Sequence, residues 1–187
     1  LGLQALRMPH PADRLAWMAG QIPELPGSGI IYVLTIRDAE RVTIWLRQQR
    51  IRAAAYHAEL DHERREALEQ ALLDNRLKCL VATTALGMGF DKPDLGFVIH
   101  FQTPANVVAY YQQVGRAGRA IDTAVGVLLL GQEDEQINAH FRERAFPPDA
   151  QVKQILDALE VAEDGLKEQS LQQMVNLRPS QIAKVLK

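Results

Sequence analysis

The sequence predicts an α/β domain whose parallel sheet is covered by helices on both faces, followed by a smaller all-helical segment. Two observations predict this class. Short apolar runs rich in β-branched residues recur along the first two thirds of the chain, and stretches with helical periodicity alternate with them. Continuous apolar runs are typical of parallel strands buried on both faces. Strand–helix alternation with short links indicates a doubly wound arrangement.

Five apolar runs give the predicted strands, in chain order GIIYVL (29–34), AAAYH (53–57), CLVAT (79–83), FVIHF (97–101) and VGVLLL (125–130). Helical patterns lie between them, over RDAERVTIWLRQQ, HERREALEQALLDN and PANVVAYYQQV. In the first two helices, apolar side chains are spaced so that they would face the core. These side chains are Val42, Trp45, Leu46, Leu68, Leu72 and Leu73.

The pattern changes after residue 146, and we divide the chain into domains 1–146 and 147–187. A proline pair precedes a helical stretch that Gly165 ends, because proline suits the first helical turn and glycine the residue after the last. Residues 166–187 read as helix, three-residue turn, helix, so we expect a helix-turn-helix or winged-helix-like segment that is truncated. Its predicted core is Leu171, Met174, Val175, Ile182, Val185 and Leu186.

The helix-turn-helix carries a local excess of positive charge. Lys167, Arg178, Lys184 and Lys187 stand against one acidic residue, Glu168. Positive charge of this kind favours contact with the phosphates of DNA. Small helical segments also pack on a neighbouring domain, and the sequence leaves both roles open.

Composition excludes several classes of protein. The 187 residues are 47% hydrophobic and 24% charged, with a net charge of −2, which counts against a protein that coats DNA through charge alone. One cysteine, Cys79, excludes a disulfide framework and a cysteine-based zinc site, and it fits a reducing compartment. No apolar stretch is long enough to span a membrane. The chain opens on Leu1 without the features of a signal peptide, so we expect a piece of a longer cytoplasmic protein.

The stretch YYQQVGRAGRA, residues 110–120, places two glycines in otherwise helical sequence, and an arginine follows each. A glycine costs a helix about 1 kcal/mol relative to alanine, so Gly115 and Gly118 indicate a turn or a close approach of backbone to a ligand. Arg116 and Arg119 are three residues apart and would share one side of a helical turn. Two guanidinium groups there suit a phosphate. A surface turn with two solvated arginines is the alternative.

Four candidate loops follow the predicted strands, and ligands of parallel α/β sheets gather at the carboxyl ends of strands. The third loop is the richest, because it offers threonine hydroxyls, two glycines that would admit a ligand to the backbone, and an acidic residue beside a lysine. The four loops are 34–38, 56–60, 82–94 and 100–106.

The sequence contains no G-x-x-x-x-G-K-[ST], the loop that cradles nucleotide phosphates, and no G-x-S-x-G of a hydrolase nucleophile. Its five histidines are scattered, so no metal site is predicted. An arginine pair without a nucleotide cradle fits a site that another domain completes. An arginine finger acts in this way, by stabilising the charge of phosphoryl transfer across an interface.

Four stretches, in this order and at these spacings, closely resemble the second RecA-like lobe of RecQ-type DNA helicases: IIYVLT, AAAYHAEL, VATTALGMGFDKPDLGFVIHF and YYQQVGRAGR. The resemblance covers residues 12–131. It implies a RecA-like parallel sheet flanked by helices, in an ATP-dependent motor that moves 3′ to 5′ on single-stranded DNA and serves repair or recombination. The implied partners are single-stranded and tailed duplex DNA and an N-terminal RecA-like lobe of the same parent chain. That first lobe would hold most of ATP and Mg²⁺, so we expect this chain alone to be inactive.

The resemblance also implies roles for single residues at matching positions. Arg119 would be the arginine finger, Arg116 a second phosphate or interlobe contact, and Gln112 a member of the same motif. Asp91 and Gly89 lie where related helicases touch the nucleotide. The residues that match the family's DNA path are Thr35, Tyr56, His57, Arg65, Thr83, Thr84 and Gly87.

Typical members of this family follow the lobe with a four-cysteine zinc subdomain, whereas residues 147–187 contain no cysteine, which implies a zinc-free branch. Two other functions stay open. An RNA helicase or another superfamily-two translocase would share the lobe fold, although GMGFDKPD and YYQ favour DNA. A nucleic-acid-binding module without catalysis would use the same scaffold. We expect a cytoplasmic protein, associated with the bacterial nucleoid.

Overall fold

The computed structural model describes residues 1–87, 89–145, 147, 149–162, 165–175, 177 and 179–186. By its internal contacts the chain divides into two compact units, Leu1–Glu135 and Gln136–Lys187. The elements, in chain order, are β1 (Gly2–Arg7), α1 (Pro11–Gln21), a 3-10 turn (Ile22–Glu24), β2 (Ser28–Tyr32), α2 (Ile36–Gln48), β3 (Ala53–Tyr56), α3 (His62–Leu73), β4 (Cys79–Ala82), β5 (Leu95–His100), α4 (Val107–Val114), β6 (Val125–Leu130), α5 (Asp134–Ala145), α6 (Asp149–Val161), α7 (Glu168–Met174) and α8 (Pro179–Val185).

The strands of the first unit form one six-stranded parallel sheet in the order β1–β6–β5–β2–β4–β3. Every residue of β2, β4 and β5 is buried, as their continuous apolar sequence predicts. The predicted parallel sheet flanked by helices is therefore confirmed. The four candidate loops follow β2, β3, β4 and β5, and these strands are adjacent in the sheet.

Sequence reasoning misses the edge strand β1 and the helices α1 and α5. In β1, only Leu6 is even partly buried, because this strand pairs with β6 alone and covers little of the core. An edge strand of this kind carries no continuous apolar run, whereas such runs predict the other strands of the sheet.

The core of the first unit lies in two clusters, one on each face of the sheet. Consecutive strand residues point to opposite faces, so Ile31 joins the cluster beneath α1 and α2, while Ile30 joins the cluster beneath α3. Val42 and Leu46 of α2 are fully buried, and Trp45 is partly buried beside them. The predicted core face of α2 is confirmed.

On α3 the prediction is right for two leucines and wrong for the third. Leu68 and Leu72 are buried, whereas Leu73 is 38% exposed. One residue along a helix is a rotation of about 100°, so Leu73 cannot share the inward face that Leu72 occupies.

A buried arginine ties α1 to the ends of two strands. Arg14 is fully buried, and its Nη1 donates to the Phe101 carbonyl oxygen at 2.6 Å. Its guanidinium also pairs with Glu133 and lies 3.5 Å from the Asp134 carboxylate. That carboxylate accepts from the Gly131 amide at 3.0 Å. The buried charge is thus compensated by carboxylates and a carbonyl, as a buried cation requires.

The second unit has a small core of its own, formed by the fully or nearly fully buried Ile155, Leu171, Val175 and Ile182, with Val185 packed against it. The prediction is wrong for Met174 and Leu186, which are 59% and 47% exposed. The spacing of apolar residues predicts which face of each short helix is buried, but it does not predict how many residues that buried face includes. The predicted basic residues Arg178 and Lys187, and the side chain of Lys184, lie outside the described residues.

The described part of the chain contains neither a membrane-spanning helix nor a metal-binding cluster of side chains. None of the helices there combines the length and apolar character needed to cross a membrane. No group of three or more histidine, cysteine, aspartate or glutamate side chains is placed to bind a metal ion in the same part of the chain.

The close approach of two backbone segments at Gly96 makes a specific prediction about stability. A Cβ atom at Gly96 would lie 1.8 Å from the Pro26 carbonyl oxygen, so Gly96→Ala should lower the free energy of unfolding by about 3 kcal/mol. Gly20 in α1 is the matched control, because a Cβ there meets nothing within 4 Å. Gly20→Ala should raise the same free energy by up to about 1 kcal/mol. Urea unfolding of the two variants measures both effects, and equal stabilities would contradict this packing.

Candidate functional site

The turn after α4 explains the glycines of the GRAGR stretch. Helix α4 ends at Val114, and Gly118 has a φ of +75°, a conformation that favours glycine. The Gly118 amide donates to the Leu95 carbonyl oxygen at 3.0 Å, and the Ala120 amide donates to that of Pro93 at 2.9 Å. The turn is therefore docked on the start of β5. Because the helix ends before them, Arg116 and Arg119 do not share one helical face.

Arg116 points inward and fastens the turn to the loop between β4 and β5. It is 8% exposed. Its Nη1 donates to the Phe90 carbonyl oxygen at 2.7 Å, and its Nη2 donates to that of Gly87 at 2.9 Å. The guanidinium thus holds two carbonyl groups of this loop, one on each side of Gly89.

Arg119 points outward. Its side chain is 51% exposed, its guanidinium pairs with the exposed Asp91 carboxylate at 2.9 Å, and its Nε donates to the Gly115 carbonyl oxygen. A surface pocket of about 270 Å³ lies beside it, lined by Tyr111, Gln112, Gly115, Arg116 and Arg119. The structure therefore brings together the predicted nucleotide-site residues on the turn and the loop. An exposed ion pair contributes little to stability, so Arg119 can exchange Asp91 for another anion at small cost.

At the carboxyl end of β2, Thr35 caps helix α2. Its hydroxyl accepts from the Asp38 amide at 3.0 Å and donates to the Asp38 carboxylate at 2.8 Å. The buried Gln102, beyond β5, donates to the same carboxylate at 3.0 Å and accepts from the Leu34 amide at 2.8 Å. Gln102 thus joins two of the candidate loops. Sequence reasoning missed it, because a single glutamine in a loop gives no pattern.

At the end of β3, the predicted DNA-path residues are held by other side chains. The Tyr56 hydroxyl donates to Glu69, and burial together with this carboxylate raises the pKa of Tyr56 to about 12. His57 is 5% exposed, and its Nε2 lies 2.9 Å from the Glu40 carboxylate. Arg65 on α3 is half-buried.

The loop after β4 offers both hydroxyls and open backbone. Thr83 is buried, and its amide donates to the Tyr56 carbonyl oxygen at 3.1 Å. Thr84, Gly87 and Gly89 are exposed, and a Cβ at either glycine would meet no atom closer than 4.0 Å. These glycines leave the loop backbone accessible from solvent. The predicted site residues thus lie in two groups. One group consists of the docked turn after α4 and the loop between β4 and β5, and the other lies at the ends of β2 and β3, near Thr35 and Tyr56.

A second residue that sequence reasoning missed is His100, the last residue of β5. Its ring stacks on Tyr32 with centroids 5.5 Å apart and lies against Tyr110 at 5.0 Å. Its Nε2 is 2.9 Å from the Gln113 Oε1. Burial lowers the pKa of His100 to about 4, so the ring is neutral at pH 7. Burial also raises the pKa of Tyr32 to about 12.

Comparison with known proteins identifies the class to which this fold and site belong. A model of the helicase conserved C-terminal domain matches residues 19–121. The chain is 44% identical to ATP-dependent DNA helicase Q1 of Pongo abelii over 107 aligned residues. The aligned region covers 57% of this chain and 16% of that protein. It is 36% identical to ATP-dependent DNA helicase RecQ of Bacillus subtilis over 118 aligned residues. That region covers 63% of this chain and 20% of that protein.

Among solved structures, the fold resembles an RNA-helicase, Prp28 from Chaetomium thermophilum bound to ADP. The TM-score is 0.64 at 26% identity, over 76% of this chain and 36% of that one. The chain belongs to the helicase conserved C-terminal domain family. Its lobe is of the RecQ type, as the motifs predicted, and it corresponds to a fifth or less of the length of the two curated relatives.

The neutral His100 predicts how stability depends on pH. Its pKa is about 4 in the folded chain and about 6.5 when unfolded, so the unfolded state takes up a proton first as pH falls. The stability that the neutral ring provides is complete above about pH 6.5 and is lost as pH falls toward 4. Between about pH 7 and pH 4.5 the loss should be about 2–3 kcal/mol.

Urea unfolding at the two pH values measures this loss. In His100→Gln the free energy of unfolding should fall less on acidification than in wild type, by the same amount of about 2–3 kcal/mol. His10 is exposed, and His10→Gln is the matched control that should leave the dependence unchanged. If His100→Gln and wild type lost equal free energy on acidification, the ring would not be held neutral by the fold.

Proposed function

We propose that this chain is the second motor lobe of an ATP-dependent DNA helicase that moves 3′ to 5′ on single-stranded DNA and unwinds tailed duplexes. The observation that carries the proposal is the outward guanidinium of Arg119 beside a pocket, in a sequence without a phosphate-cradling loop. Such a group can complete a nucleotide site only if another lobe supplies the cradle. The names of the RecQ-type relatives support the substrate and the reaction.

The residues at the pocket fit the phosphate end of a nucleotide. Arg119 would leave the exposed Asp91 and bind the terminal phosphate, where its charge stabilises the phosphoryl-transfer transition state. Gln112, also exposed on the pocket rim, offers an amide donor and acceptor. The freed Asp91 carboxylate could accept hydrogen bonds from a ribose. Bound Mg²⁺ would neutralise phosphate charge, and we assign its ligands to the first lobe.

Arg116 acts differently in this proposal. Its two hydrogen bonds to Gly87 and Phe90 leave it as the link between the turn that carries Arg119 and the loop that carries Thr84. Movement of the turn on nucleotide binding would therefore be transmitted to the loop backbone. That backbone, open at Gly87 and Gly89, suits the phosphates of a single strand.

The DNA path would consist mainly of amides and hydroxyls. With a net charge of −2, the chain cannot rely on general attraction to phosphate. Thr84 and the glycine backbone are accessible, while Thr35, Tyr56 and His57 use their polar atoms within the chain and would shape the path. The same chemistry serves any single strand, so base preference is expected to be weak.

The finger role of Arg119 can be tested in the intact parent protein. Arg119→Ala should reduce DNA-stimulated ATP hydrolysis by about 10³-fold or more and leave ATP binding largely unchanged, because the finger acts on the transition state. Arg76 is the matched control, since it is also exposed and paired with an aspartate, Asp74, at 3.1 Å. Arg76→Ala should hydrolyse ATP at the wild-type rate. Normal turnover by Arg119→Ala would exclude the finger.

An RNA helicase lobe is the second candidate, because one solved structure with a similar fold is an RNA-helicase. ATP hydrolysis by the parent protein with equal lengths of single-stranded DNA and RNA separates the two. DNA should give the larger stimulation. Equal or greater stimulation by RNA would assign the lobe to an RNA motor, and the absence of hydrolysis with either polymer would leave a binding module.

A further inference from the structure

Helix α4 is weakly anchored for an element that leads directly into the docked turn. Val114, its last residue, is the one buried residue of the helix. Val107, Val108 and Tyr111 are 80%, 65% and 76% exposed. With so little apolar burial, packing alone does not determine the rotation of α4 about its axis or its position along that axis.

His100 supplies the missing contacts. It is fully buried at the carboxyl end of β5, and its register partner in the neighbouring strand β2 is Tyr32. One side of the ring stacks on Tyr32 of the sheet, and the ring also lies against Tyr110 of α4. The histidine therefore stands between the sheet and the helix and contacts both.

A directional contact accompanies the stacking. The His100 Nε2 donates to the Gln113 Oε1 at 2.9 Å, because an amide oxygen can only accept. The Nδ1 of the same ring is buried and has no hydrogen-bond partner among the described residues, so no competing hydrogen bond is found there. Tyr110 and Gln113 are three residues apart and lie on the same side of α4. Together they fix both the rotation and the height of the helix at its second half.

We propose that His100 is a positioning residue for the arginine finger, acting through Gln113 and Tyr110 on α4. This inference rests on the proposed function of Arg119. One residue, Gly115, separates the end of α4 from Arg116, and Arg119 follows three positions later, so a rotation of the helix displaces both guanidinium groups. Misplacement of a catalytic group by about 1 Å can cost about 10²-fold in rate.

The test measures steady-state ATP hydrolysis by the parent protein at saturating single-stranded DNA. Gln113→Leu removes the acceptor, and His100→Phe keeps an aromatic ring without the donor. Each should lower kcat by about 10- to 100-fold and leave the KM for ATP within about twofold of wild type, because a finger acts on the transition state. The double variant should be no slower than the slower single variant, since both remove one contact.

Two variants separate positioning from general damage. Gln113→Glu keeps an acceptor of the same shape and should retain kcat within about twofold. Val42→Ala creates a cavity in the core beneath α2, away from α4, and should lower stability without changing kcat at temperatures well below unfolding. Gln113 is half-buried, so Gln113→Leu folds even if His100→Phe does not. Hydrogen exchange of peptides covering 107–119 should be faster in Gln113→Leu than in wild type.

The outcomes distinguish this inference from the function beneath it. Wild-type kcat in both Gln113→Leu and His100→Phe, with Arg119→Ala inactive, would overturn the positioning role and leave the finger in place. A raised KM with unchanged kcat would overturn it as well, because the contact would then serve binding. A wild-type parent protein without DNA-stimulated hydrolysis would overturn the proposed function and this inference together.

Discussion

The arrangement of the site depends on one buried cation, Arg116. Burying a guanidinium costs several kcal/mol unless charge-assisted hydrogen bonds compensate. Here the Gly87 and Phe90 carbonyl oxygens provide them, at 2.9 and 2.7 Å. Those carbonyls belong to the loop between β4 and β5, while Arg116 belongs to the turn after α4. The contact therefore joins two segments that are distant in sequence, and it brings Asp91 within 2.9 Å of Arg119.

The two arginines of the GRAGR stretch differ in burial and in the strength of their contacts. Arg116, 8% exposed, is held by directional bonds and suits a role in which position matters. Arg119 is half exposed and pairs with the exposed Asp91 carboxylate, so its pairing is weak and exchangeable. The arginine finger proposed above would need this freedom, whereas the hydrogen bonds of Arg116 hold the turn against the loop between β4 and β5. A lysine in either position would lose the planar fork on which both roles depend.

The sequence predicts the parts of the fold whose cause is local. Strands β2, β4 and β5 are fully buried and therefore read as continuous apolar runs, whereas the exposed edge strand β1 leaves no such trace. Motif spacing identified the turn and the loop of the site, because glycine and arginine side chains mark them directly. His100 and Gln102 could not be found in this way. Their importance comes from the pairing of β5 with β2, which sets His100 beside Tyr32 and Gln102 near Asp38.

The neutral state of His100 also follows from its place at the end of β5, where the ring is buried. Burial disfavours a charged imidazolium beside the two tyrosines, so the ring is neutral. The neutral ring donates to Gln113, stacks on Tyr32 and lies tilted against Tyr110, so a single side chain supplies both direction and contact area. The helix it holds has almost no apolar anchor of its own, and it ends at the turn that bears both arginines. A contact made at the end of β5 would thereby position the guanidinium groups of the turn that follows α4, as we propose above.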